Sequence, residues 1–145
     1  TLYLFAPYVI INLGMLSFLI IYLGSLIFGN LLTMLLHKND YNYRAVGASG
    51  AVIGIVYAGI LLEPRLEIYF MPGYVFGILY LLYSIYGMRN KSDNIGHTAH
   101  FGGAIGGYAI TISQVPSLVT QNTLTVILLA VPIIVLFIMA KLGKL

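Results

Sequence analysis

The 145-residue sequence has few charges, no cysteine and no tryptophan. Without cysteine, the chain contains no disulfide, no thiolate metal site and no cysteine nucleophile. Charged residues make up 8% of the chain, against roughly 25% in a typical soluble domain. Hydrophobic residues make up 60%. Because so few polar side chains cannot cover a water-exposed surface, the composition excludes an ordinary soluble domain.

The charges lie in short segments between long uncharged stretches, which cover residues 1–36, 45–62, 68–88 and 94–140. Uncharged apolar stretches of about 18 residues or more predict membrane-spanning helices. The net charge of +3 comes from scattered lysines and arginines without a basic run, which argues against nucleic-acid binding. The composition therefore predicts a multi-pass membrane protein that contacts the lipid bilayer.

Breaker residues divide the chain into five predicted spans, 15–36, 49–62, 68–88, 97–113 and 118–140. Pro7 and Gly14 predict the break before the first span, and Pro132 predicts a kink in the last. The first and last spans are rich in Leu and Ile and are predicted to face lipid. The start at Thr1, without Met or a leader pattern, predicts a fragment of a longer protein. Residues 1–145 are thus predicted to form one all-α, polytopic membrane helix bundle.

The second and fourth spans carry small residues at four-residue spacing, at Gly50 and Gly54 in one and at Gly103 and Gly107 in the other. That spacing allows two helix backbones to approach closely inside a membrane. Simple helix packing explains such a stripe by itself. Close packing is also a way to bring a serine on one helix to a histidine on another.

Two polar residues stand at the starts of these two spans. Ser49 lies between glycines where a polar loop becomes an apolar helix, a position that leaves backbone N–H groups free to bind an oxyanion. Serine is also a common helix N-cap. His100 begins the other glycine-rich helix, where a histidine often serves only to form a hydrogen bond between helices. Each residue alone therefore has a structural explanation as well as a catalytic one.

The serine lies in the segment GASGA at residues 47–51, and the histidine lies in AHFGG at residues 99–103. The segments FAP at residues 5–7 and EPR at residues 63–65 accompany them. Taken together, these motifs resemble those of the rhomboid intramembrane serine proteases. The resemblance covers about residues 3–113.

The resemblance implies a rhomboid-like fold and a catalytic dyad, with Ser49 as nucleophile and His100 as general base and later acid. It implies an oxyanion site at the Ser49 N–H, between Gly47 and Gly50, and close helix packing at Gly103 and Gly107. It also makes the third span a lateral gate, for which Phe76 and Tyr80 are suitable residues. The implied substrates are proteins anchored by a transmembrane helix, and no cofactor is implied. The carboxylates Asp40 and Asp93 fall in predicted loops, which favours a dyad over a triad.

Three features depart from the family pattern. The His-x-x-x-Asn motif, whose asparagine donates a hydrogen bond to the oxyanion, is absent, so these residues alone are expected to have weak activity or none. Ile10 stands where many members have a glutamate. Ile53, one helical turn after Ser49, replaces an aromatic residue that often stacks on the histidine.

The sequence also offers a metal site, a non-catalytic membrane protein and a transporter as alternatives to a protease. His97 and His100 suggest a zinc pair, but a zinc site needs further ligands and no cysteine or in-span carboxylate is available, so no metal is predicted. A rhomboid-like protein that binds and guides membrane clients without catalysis would lack Ser49 or His100. A transporter or channel would carry charged residues within its spans, and none is present.

The predicted orientation rests on two conflicting arguments. Alternation of the five spans puts six of the seven lysines and arginines on the side of Ser49 and His100, with Arg65 alone on the other side. The positive-inside rule would then place the active-site face in the cytoplasm. The family resemblance implies that this face opens to the outside of the cell membrane, and we adopt that orientation as the expectation.

Overall fold

The computed structural model describes residues 1–44, 47–91 and 95–145. In these residues the helices are α1 (Leu2–Leu36), α2 (Ser49–Leu62), α3 (Gly73–Asn90), α4 (His97–Gln114), α5 (Leu118–Gln121) and α6 (Thr123–Lys141). Two short strands, β1 (Glu67–Ile68) and β2 (Met71–Pro72), precede α3. Helices α1, α2 and α4 pack closely together, and α3 packs mainly against α6 and α4. The predicted all-α architecture is confirmed.

Helix α1 is interrupted at Gly14, whose φ of 86° and ψ of 168° are not helical. This backbone conformation strongly favours glycine, because a side chain there would clash with the backbone. The break predicted at this residue is therefore present, but the prediction that Pro7 contributes to it is wrong. The helix runs on both sides of Pro7 and starts at Leu2.

The third span, predicted at residues 68–88, begins later in the structure, at Gly73. Residues 68–72 form part of an antiparallel hairpin in which Glu67 pairs with Pro72 and Ile68 pairs with Met71. A proline pushes the residue before it out of the helical region, so Pro72 prevents a helix from continuing through Met71. Helix α3 consequently starts at Gly73 and extends to Asn90.

The last predicted span, 118–140, is two helices in the structure. The chain leaves the helical conformation at Asn122, which separates α5 from α6. The Asn122 side-chain amide donates a hydrogen bond of 2.9 Å to the carbonyl oxygen of Leu61 at the end of α2. This contact fixes the start of α6 against α2, and α6 then continues through Pro132 to Lys141.

Helices α1 and α6 present large apolar side chains outward. Both are long and apolar enough to cross a membrane, and α2 is a shorter apolar helix. The exposed side chains include Leu16, Leu23, Ile27, Leu31, Leu124, Ile127, Ile134 and Phe137. An outward apolar surface of this kind is suited to lipid and unsuited to water.

Glycines allow α2 and α4 to pack backbone against backbone. A Cβ atom on Gly103 would overlap the carbonyl group of Gly50, and one on Gly107 would overlap the carbonyl group of Gly54. Helix α1 joins the same contact through Gly29, where a Cβ would lie 2.7 Å from the carbonyl oxygen of Ala99. This packing brings the first turns of α2 and α4 side by side.

Candidate active site

Ser49 is the first residue of α2, and the loop before it contains a glycine that its conformation requires. Gly47 has a φ of 131°, which side-chain-bearing residues rarely adopt. The backbone N–H groups in the first turn of any helix have no partner within the helix. The Ser49 side chain is exposed at the surface of the bundle. The Ser49 hydroxyl is thus accessible at the start of the helix.

His100 lies in the first turn of α4, directly beside Ser49. The distance between its Nε2 atom and the Ser49 Oγ atom is 2.7 Å, a hydrogen bond between residues 51 positions apart in sequence. Gly50, next to the serine, is buried against Ala99, next to the histidine. A hydroxyl in hydrogen-bond contact with an imidazole is the arrangement in which the imidazole can remove the hydroxyl proton.

The second ring nitrogen of His100 contacts Tyr80 of α3. The Tyr80 Oη atom lies 2.8 Å from His100 Nδ1. The Tyr80 and His100 rings are stacked with their centroids 6.2 Å apart. The Phe76 ring stacks on the Tyr80 ring in turn, with the two centroids 6.0 Å apart. Both nitrogens of the His100 imidazole therefore have a partner, which fixes the orientation of the ring.

A mainly apolar cavity of about 470 Å³ adjoins this row of side chains. Tyr80 and Phe76 form one wall, and Ile53 and Val56 of α2 form another. Phe5 and Tyr8 from the first part of α1 also line it. The cavity thus connects the aromatic residues beside His100 with the surface between α1, α2 and the hairpin.

A separate polar contact joins the end of α1 to the start of α4. His37 Nε2 lies 2.9 Å from the Oγ1 atom of the buried Thr98, and the His37 ring stacks on Tyr43 with centroids 3.6 Å apart. Partial burial lowers the pKa of His37, a shift that Asp40 opposes and Lys91 reinforces. The contact holds the start of α4 two residues before His100.

The structure brings most of the predicted site residues together and leaves others apart. His100 contacts both Ser49 and Tyr80, whereas Phe76 stacks on the Tyr80 ring. Asp40 is exposed in the loop after α1. Asp93 lies outside the described residues. Within the described residues, no group of three or more histidines and carboxylates is arranged to hold a metal.

The motif segments, the helical architecture and the site geometry agree with one family comparison. The family model of the Rhomboid domain matches residues 1–117. The chain belongs to the rhomboid family. Its fold is thus the helical membrane bundle of that family, as predicted, and the outward apolar surfaces of α1 and α6 are those of a membrane protein. No curated protein and no solved structure matches the chain.

The contact between Tyr80 and His100 is a feature of this rhomboid site that the motifs do not predict, because the family resemblance gives Tyr80 only a gate role. A signal for it exists. Tyr80 and Tyr83 are three residues apart on α3, as are His97 and His100 on α4. Helices that follow one another antiparallel can match two such pairs, and the Tyr83 ring indeed contacts the His97 ring edge-on at 5.2 Å.

Proposed function

We propose that this rhomboid is an intramembrane serine endopeptidase that cleaves proteins anchored by a transmembrane helix. The observation that carries the proposal is the hydrogen bond of 2.7 Å between Ser49 Oγ and His100 Nε2. The family membership supports the same reaction class. In this proposal Ser49 and His100 form a dyad without a carboxylate.

The proposed reaction proceeds in two stages. His100 Nε2 takes the Ser49 hydroxyl proton as Oγ attacks the carbonyl carbon of the scissile peptide bond. The tetrahedral intermediate collapses, the C–N bond breaks, and His100 gives its proton to the leaving amine. A water molecule, deprotonated by the same imidazole, then hydrolyses the ester on Ser49. The proton returns to the serine, so the enzyme is unchanged after each cycle.

The negative oxygen of the intermediate needs hydrogen-bond donors. The free N–H groups in the first turn of α2, beginning with that of Ser49, are suited to this role. Gly47 adopts the positive φ that the chain needs just before this turn, and Gly50 permits the contact with α4. Gly103 and Gly107 contribute by holding α4 against α2, which sets the distance between the two catalytic residues.

The proposed substrate is an apolar segment that unwinds at the site. The cavity beside Tyr80 and Phe76 has the volume and apolar lining to accept one or two large apolar side chains. Both aromatic residues lie on α3, so a lateral displacement of this helix would open the cavity toward the lipid. Phe76 and Tyr80 would then act as gate residues for an entering substrate helix.

Protease activity is tested by incubating the full-length protein with a reporter, a substrate protein with a single transmembrane span, in membranes or detergent micelles. We expect two fragments whose new ends, identified by mass spectrometry, lie within or next to the transmembrane segment of the reporter. A non-catalytic client-binding protein would instead retain the intact reporter in a stable complex. Binding without any cleavage would therefore overturn the protease proposal in favour of that alternative.

We further propose that the protein is a multi-pass protein of the cell membrane whose active-site face opens to the outside. Residues 1–145 contain no cysteine, so a cysteine introduced among them is the only one in this part of the protein. An impermeant maleimide should label Asn90→Cys, at the end of α3 near the active-site face, in intact cells. Arg65→Cys, after α2 at the opposite end, should react only after permeabilisation. The reverse pattern would place the active site in the cytoplasm, as the positive-inside rule requires.

A further inference from the structure

Tyr80 holds the ring nitrogen of His100 that faces away from Ser49. Its hydroxyl oxygen lies 2.8 Å from Nδ1 while Nε2 contacts Ser49 Oγ at 2.7 Å. The Tyr80 side chain is itself confined, since its ring is half-buried and lies between the rings of Phe76 and His100. The position of the hydroxyl is therefore set by the packing of α3 on α4.

The position of the hydrogen on the imidazole ring determines whether the Tyr80 hydroxyl donates or accepts this hydrogen bond. A neutral imidazole has one N–H, and Nε2 can take the Ser49 proton only if that hydrogen is on Nδ1. Nδ1 must then donate its hydrogen bond, and the Tyr80 oxygen must accept it. If the tyrosine donated instead, the hydrogen of the ring would be on Nε2, which could not act as a base.

The same bond becomes stronger when the reaction proceeds. Once His100 has taken the serine proton, both ring nitrogens carry hydrogen and the ring carries a positive charge. The Nδ1–H group then forms a charge-assisted hydrogen bond to the Tyr80 oxygen, and such bonds are stronger than neutral ones. In the described part of the chain, the partner of Nδ1 is this phenol and not a carboxylate.

We propose that Tyr80 is a positioning residue that keeps the Nδ1–H tautomer of His100 and accepts its hydrogen bond in the charged state. In this role it takes the place that an aspartate has in a catalytic triad, with a neutral oxygen in place of a charged one. The inference rests on the proposed function of Ser49 and His100. It differs from a gate role, because a gate acts on substrate entry and a positioning residue acts on the chemical step.

The test compares Tyr80→Phe with the full-length wild type in the single-span reporter assay. Phenylalanine keeps the stacked ring and removes only the hydroxyl. We expect kcat to fall by about tenfold to a hundredfold, the effect of losing one hydrogen bond to a charged group. KM should change by less than about twofold, because the bond strengthens only after proton transfer. Tyr86→Phe, the same change at an exposed position of α3, should leave both constants unchanged.

A second measurement reads the tautomer directly, without substrate. With 15N-labelled histidine, the wild type should give an N–H signal for His100 Nδ1 and an unprotonated signal for Nε2, assigned by their loss in His100→Ala. Tyr80→Phe should shift this ring toward the Nε2–H form. The same population in both proteins would contradict the proposed role of the hydroxyl.

The outcomes separate this inference from the proposed function. Ser49-dependent cleavage with a normal kcat in Tyr80→Phe would overturn the positioning role and leave the protease intact. An unchanged kcat with a raised KM would identify Tyr80 as a gate residue only. Absence of Ser49-dependent cleavage in the wild type would overturn the protease proposal and the positioning role together.

Discussion

Replacing Ser49 by alanine is expected to reduce cleavage of a single-span reporter to the background rate while the protein stays folded. The substitution removes the oxygen that attacks the peptide bond, and no other hydroxyl in the described residues contacts His100 Nε2. Because the Ser49 side chain is exposed, its loss should leave no cavity in the core. The variant should therefore insert into membranes, purify as the wild type does and bind the reporter without cutting it.

The matched control is Ser113→Ala, which removes a hydroxyl from an exposed position of α4. It should retain full activity, as should Asp40→Asn in the loop after α1. Product formation is followed by electrophoresis and mass spectrometry in the same membranes for all variants. Cleavage at the wild-type rate by Ser49→Ala would rule out the serine-protease mechanism.

His100→Ala should lower kcat by at least about 10²–10⁴-fold, the contribution of a general base. The double variant Ser49→Ala/His100→Ala should be no worse than Ser49→Ala alone, because nucleophile and base act as one unit. Additive losses would mean that the two residues contribute through separate steps. The 2.7 Å contact between their side chains predicts the non-additive result.

Gly103→Leu is expected to abolish activity through the backbone contact between α4 and α2. Any Cβ at residue 103 overlaps the carbonyl group of Gly50, which is backbone and cannot rotate away as a side chain does. The helices must therefore separate locally, and Gly50 is the neighbour of Ser49. A displacement of about 1 Å between reacting groups can reduce a rate by about 10²-fold, so a loss of that size or larger is expected.

Ala109→Leu is the control for added bulk, because Ala109 is exposed on the same helix. It should leave cleavage unchanged, and both variants should reach the membrane in similar amounts. Gly103→Ala, the smallest possible addition, should already lower the rate, since its Cβ meets the same carbonyl. A fully active Gly103→Leu protein would contradict the packing of α4 on α2 as the basis of the site geometry.

Several features of the fold could be predicted from the sequence because single residues determine them locally. Gly14 marks the interruption of α1, and the polar loop before Ser49 marks the start of α2. The glycines at four-residue spacing in α2 and α4 predicted a close helix contact, which the structure contains at Gly103 and Gly107. The first two act within their own segment, and the glycine spacing marks the contact face of each helix in its own sequence.

Other features depend on packing or on a competing local preference. The helix-like apolar run at residues 68–88 concealed the effect of Pro72 on the residue before it, so the hairpin was missed. The end of α5 depends on Asn122, whose side chain bonds to Leu61, 61 positions earlier in the sequence. Contacts over that separation are set by the fold and have no counterpart in a local pattern.

The contact between Tyr80 and His100 is partly indicated by the sequence and partly determined by packing. Tyrosines occur along α3 at residues 74, 80, 83 and 86, and periodicity alone does not say which one faces α4. The missing aromatic residue at Ile53 was visible in the sequence, but the source of the ring that stacks on His100 was not. The three-residue spacing of the histidines narrows the choice to Tyr80 with Tyr83 or Tyr83 with Tyr86, and in the structure Tyr83 contacts His97 and Tyr80 contacts His100.

Covalent labelling with a fluorophosphonate probe tests whether His100 activates the Ser49 hydroxyl. Only an activated serine reacts with such a probe, and no substrate needs to be known. The wild-type protein in membranes should be labelled, with the adduct mapped by mass spectrometry to Ser49 and with labelling lost in His100→Ala. An adduct on another residue, no adduct in the wild type, or undiminished labelling of Ser49 in His100→Ala would contradict activation of Ser49 by His100.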